Sequence, residues 1–142
     1  MDAKSYLEEI KWTDSRIQNK LVEVQQLRYL ALSVSAPVGD ITGGSSGTKS
    51  NDRLGTVIAK IIDAENEINA EIDRFVDMKR ERIALIERIP KQLQQDVIHG
   101  HYVQYKSLVD IAKDKGYTYA WILEVHAEAL RTVQELIDKL PI

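Results

Sequence analysis

The sequence predicts an all-α chain: a long antiparallel, coiled-coil-like helical hairpin followed by a C-terminal three-helix, helix-turn-helix domain. Three observations carry that expectation. Apolar residues recur every three or four positions over two long stretches, a Gly/Ser-rich stretch separates them, and the last third repeats cap–helix–breaker signals at short intervals. No segment alternates apolar and polar residues as a half-buried strand does.

The first helix is expected over 1–32, where Leu7, Ile10, Ile17, Leu21 and Val24 form a stripe that Leu27 and Leu30 extend. Asp14 and Arg28 interrupt it, and Trp12 lies off it, placed to pack on a dimer mate. Residues 33–52 hold four of the seven glycines, Pro37 and five serines, the composition of a flexible linker. Within it Gly43–Ser50 (GGSSGTKS) imitates a phosphate-binding loop. The match fails because Thr48 separates Gly47 from Lys49, and neither a strand before it nor a helix starting at Lys49 is expected. The second long helix is expected over 53–89, with Asn51 or Asp52 as N-cap and Leu54, Ile58, Ile61, Ile68, Ile72, Phe75, Ile83, Ile86 and Ile89 as its stripe. Glu65, Lys79 and Arg82 fall in the seam, where they either fix register or simply face water.

Pro90 opens the C-terminal domain, residues 90–142. Its first helix carries Leu93, Val97, Ile98, Tyr102 and Val103. The second starts after Ser107 and stops at Gly116; the third starts after Thr118 and ends before Pro141. At 100° per residue, Ile122, Val125, Ala129, Val133 and Leu136 line the buried side of the third helix. Ala120, Glu124, Ala127, Glu128, Arg131, Glu135 and Asp138 lie opposite. Tyr117, Tyr119 and Trp121 read first as a small aromatic core closing the turn and second as a contact surface for DNA sugar-phosphate or a partner protein, and His126 reads as a packed core-side histidine. His99 and His101, about 200° apart on a helix, read as surface histidines rather than a metal pair.

Ser107–Gly116 (SLVDIAKDKG) is similar to the S-L-x-E-I-A-x-x-x-G stretch of sigma-factor region-four domains. The longer run from Tyr102 to Leu130 resembles small phage proteins related to the ArpU and RinA late-gene regulators, which join a helical hairpin to a region-four-like helix-turn-helix. That resemblance implies sequence-specific binding of promoter or operator DNA in the cytoplasm of a bacterial host, contact with host RNA polymerase, or both. It also implies a recognition helix whose leading residues Thr118, Tyr119, Ala120, Leu123 and Glu124 meet base edges. Lys106, Ser107, Lys113 and Lys115 stand where they reach backbone phosphates, and the long helices are expected to form a homodimer. The related phage proteins place Arg at the positions of Ala120, Glu124 and Glu128. The acidic outward face supports an alternative: a protein-interaction module that uses Trp121, Glu124, Glu128 and Glu135 to bind a host or phage protein.

Composition limits the classes. The 142 residues carry 19 basic and 22 acidic side chains, net −3, so nucleic-acid binding needs a local basic face. There is no cysteine, which excludes thiolate catalysis, disulfides and zinc-finger sites. No apolar run nears the ~20 residues of a membrane span, and neither a nucleophile with its base nor a cofactor loop is recognisable, so no enzyme, metal or cofactor is expected.

Overall fold

A computed structural model describes residues 1–35 and 46–141. The described residues contain five α-helices and no strand: α1 Ala3–Ser35, α2 Ser46–Ile86, α3 Gln92–Ile98, α4 Leu108–Lys115 and α5 Tyr119–Asp138. A π-helical turn, His99–Val103, continues α3. None of the helices is long and apolar enough to cross a membrane.

The helix boundaries correct the linker. Residues 33–35 still belong to α1, and α2 begins at Ser46 rather than Arg53, so its start precedes both Asn51 and Asp52. Lys49 therefore lies inside a helix, contrary to expectation. Ser, Thr and Asn lower helix propensity by only fractions of ~1 kcal/mol each and do not stop a helix that a long apolar stripe sustains. Residues 36–45, the remainder of the expected linker with Pro37, lie outside the described residues. At the other end α2 stops at Ile86, ahead of Pro90, and Ile89 is buried in the turn that follows.

The chain divides into two compact units, residues 1–14 with 74–142, and residues 15–73. In the first, Leu7, Ile86, Ile98 and Val133 are among the side chains of one apolar cluster. Val97, Ile111, Ala112, Ile122 and Val125 form a second. Ala112, 3% exposed, is the smallest side chain of that second cluster. Arg82, only 8% exposed, donates from its guanidinium to Glu9 Oε2 at 2.7 Å and stacks 4.0 Å from the Tyr6 ring centre. The backbone N–H of Ala3 donates to Gln134 Oε1 at 2.7 Å, and Gln134 Nε2 donates to the Met1 carbonyl at 3.1 Å, tying the first residues to α5.

In the second unit the partners of α1 and α2 run in opposite directions along the chain. Lys20 Nζ donates to Glu71 Oε1 at 2.6 Å, whereas Arg28 pairs with Glu65. Glu65 thus meets a charge across the seam, as Arg82 does within the first unit, where Lys79 instead lies 5.7 Å over the Phe75 ring. Ile17, Val24, Val57 and Ile68 are buried, but Leu21, Leu30 and Ile58, all expected in the seam, are exposed. Two helices offer each other one narrow stripe, and side chains at its flanks stay in water.

Candidate site at the tip of α4 and α5

Ser107 caps α4 through its side-chain oxygen, which accepts from the Asp110 backbone N–H at 3.1 Å; Thr118 caps α5 by accepting from Trp121 N–H at 3.1 Å. Between them Gly116 adopts φ +76°, the left-handed conformation that ends α4, and Tyr117 N–H donates back to the Ala112 carbonyl at 3.0 Å. On α5, Ile122, Val125, Ala129 and Val133 are buried and Leu136 half-buried, the arc expected from their spacing. The opposite arc is therefore free to face water: Tyr119, Ala120, Leu123, Glu124, Ala127 and Glu128 are exposed, as are Glu135 and Asp138 further along.

The aromatic side chains depart from expectation. Tyr117, Tyr119 and Trp121 do not close a core; each is nearly half exposed, at 47%, 48% and 46%. Tyr117 follows the left-handed residue outside either helix, and Trp121 lies 100° from Ile122, off the buried arc. With Val109 and Leu123, 44% and 41% exposed, they make the tip rich in exposed apolar surface. Val109 lies 100° from Leu108 and about 160° from Ile111, outside the arc that those two share with Ala112.

The lysines are also less available than their positions suggest. Lys115 Nζ donates to Asp96 Oδ2 at 2.7 Å, and that bond is the main reason the Asp96 carboxyl sits below its usual range. Lys106 Nζ donates to Asp114 Oδ2 at 3.3 Å. Both pairs line an open cleft of about 380 Å³ with Gln95, His99 and Ile111. Lys113 is exposed, and no described carboxylate lies within ion-pairing distance of it. An exposed pair such as Lys106–Asp114 is worth only ~0–1 kcal/mol and opens readily for a phosphate, whereas the shorter Lys115–Asp96 bond resists exchange more.

Behind the tip the histidines are structural. His101 Nδ1 lies 2.7 Å from the Lys106 carbonyl, and Gln104 Nε2 donates to His99 Nδ1 at 2.8 Å, so both rings are half-buried and pin the loop after the π turn. Gly100 is needed there, because a Cβ would come within 3.2 Å of Ile111 Cδ1. Tyr105 takes φ +61°, rare for a tyrosine, and its hydroxyl donates to Asp14 Oδ2 at 2.7 Å. His126 packs as expected: its Nε2 is 2.8 Å from the Tyr102 hydroxyl, and burial lowers its pKa to about 4. Burial likewise pushes the Tyr102 hydroxyl up to about 12. Among the described residues no group of three or more His, Asp or Glu is arranged to hold a metal ion.

Compared with known proteins, the chain matches no family model, no curated protein and no solved structure.

Proposed function

We propose that this chain is a non-enzymatic, DNA-binding transcriptional regulator of the phage late-gene type, acting through the α4–turn–α5 tip. The observation that carries the reading is the tip itself: two capped helices joined through Gly116, with the leading outward residues of α5 exposed and the inward ones buried. In this reading α5 enters the major groove. Leu123 and Ala120 contact thymine methyl groups, Glu124 accepts from cytosine N4, and Lys113 and Lys106 reach phosphates. With so few bases available, affinity is modest and depends on dimer formation or on contact with RNA polymerase. Electrophoretic mobility shift with DNA from the chain's own genomic neighbourhood is the test. Binding should weaken as salt rises, Lys113→Glu should weaken it on every sequence, and Glu124→Gln should change base preference at one position. Absence of any shift at low salt overturns the reading.

A second reading is favoured by the paired lysines and the exposed Tyr117, Tyr119, Trp121 and Leu123 beside Glu124, Glu128 and Glu135. Aromatic anchors rimmed by charge suit a protein partner, here a host or phage protein with a basic, partly apolar surface. Trp121→Ala would then abolish capture of one stoichiometric protein, and DNA would not bind.

A further inference from the structure

We infer that one face of the two-helix unit, residues 15–73, docks against the same face of a second copy of this chain, forming a four-helix bundle about a two-fold axis. The face has a regular pattern. On α1, Val22, Gln25 and Tyr29 follow one another at spacings of three and four; on α2, Ile58, Ile62, Glu65, Asn69 and Ile72 do the same. This is the heptad spacing of a helix seam, set to one side of the seam that Val24 and Ile68 already fill within the chain. Val22, Gln25, Glu65, Asn69 and Ile72 together line an open groove of about 410 Å³, which places the two rows on the same side of the unit. Within the groove Val22 is 51% exposed and Leu21 38%; further along the same two rows, outside it, Tyr29 is 77% exposed, Ile62 52% and Ile58 44%.

Three features select a second copy as the occupant. First, charge: the groove's only ionic side chains are Arg28 and Glu65, already paired with each other, so two identical faces meet without repulsion. In a chain with 29% charged residues, the other polar groove positions are amides, Gln18, Gln25 and Asn69, which tolerate burial beside their own kind. Second, area: the five exposed apolar side chains present on the order of 500 Å², most of the ~800 Å² each partner buries in a standard interface. Third, composition: residues 36–45 (APVGDITGGS) bring only Val38 and Ile41 as large apolar side chains, against five exposed on the face. An isologous two-fold pairing closes the face on itself and leaves no row open.

Size-exclusion chromatography with light scattering on the full chain, without DNA, tests this separately from the tip. At about 100 μM the wild type should elute at twice 16.2 kDa, and Tyr29→Glu/Ile62→Glu at 16.2 kDa with unchanged helical circular dichroism. Glu23→Lys, on the far side of α1, should remain dimeric. Because the chain lacks cysteine, single Tyr29→Cys and Ile62→Cys variants with a short bis-maleimide linker give a second readout that does not depend on the double variant folding. Both should yield a cross-linked dimer and Glu23→Cys should not. A monomeric wild type, a folded double variant that stays dimeric, a higher oligomer, or cross-linking equal at all three positions would overturn the proposal.

Discussion

α1 and α2 run through both units, yet the two units are held in different ways. In residues 1–14 and 74–142, these helices are covered by α3, the π turn and α5, and Leu7, Ile10, Ile86 and Ile98 are completely buried. Among the described residues of 15–73 the same two helices pack only on each other, and four apolar side chains are buried against seven that are exposed: Leu21, Val22, Tyr29, Leu30, Leu32, Ile58 and Ile62. Along α1 the apolar share barely differs between the two units, five of 12 residues in 3–14 against ten of 21 in 15–35; the number of covering elements does. An amphipathic stripe thus becomes a core only where a third element closes over it.

The sharpest way to break this contrast is core truncation. Ile98→Ala and Ile122→Ala should each cost about 2–5 kcal/mol, because both are fully enclosed and leave a cavity. Ile58→Ala, 44% exposed, should cost well under half of that in a monomer. Equal losses in urea melts would mean that the two units are one cooperative core.

A pH series addresses the enclosed unit alone. His126 has its pKa lowered to about 4 by burial, with His101 and Lys4 acting in the same direction. The unfolded chain, titrating near 6.5, therefore takes up this proton first. The stabilisation is complete above about 6.5 and is lost as pH falls towards about 4. Asp96, held low by Lys115, gives its stabilisation in full above the ordinary carboxylate range and loses it only as pH falls below that range, so the two windows separate. Thermal midpoints should decline between pH 7 and pH 4.5 in the wild type, and His126→Gln should flatten that decline; an unchanged slope refutes the assignment.

Smaller effects sharpen the comparison. Ser107→Ala and Thr118→Ala should each lose about 1 kcal/mol by removing a cap. Lys20→Met, which breaks the half-buried pair with Glu71, should cost less than loss of either cap. Tyr6→Phe should be neutral or slightly stabilising, because the buried Tyr6 hydroxyl has no hydrogen-bond partner among the described residues while its ring keeps the Arg82 contact. Urea midpoints of the three sets rank them; a Tyr6→Phe loss beyond 1 kcal/mol would point to a partner for that hydroxyl.

Much of the helical layout and the tip's skeleton was legible in the residues. The Ser107 and Thr118 caps, the left-handed Gly116 and the Ile122–Val125–Ala129–Val133 arc are local features, each defined by side chains within a turn or two of the backbone they control. The linker was misjudged at both ends because serine and threonine are as ordinary in a helix's terminal turns as in a loop. The aromatic trio was misjudged because ring size signals burial without saying which arc of a helix a neighbour will cover.

By itself, then, the sequence determined that this protein is helical, where α4 starts and stops and where α5 starts, and which side of α5 turns inward. All of these follow from the 3.6-residue period and from groups a few bonds apart. Only the tertiary structure decided that Lys115 is spent on Asp96, 19 residues away, that Arg82 is buried beside Glu9 and Tyr6, and that Tyr29 and Ile62 remain in water. Those outcomes depend on which surfaces meet across long separations in the chain, and a local period carries no information about them.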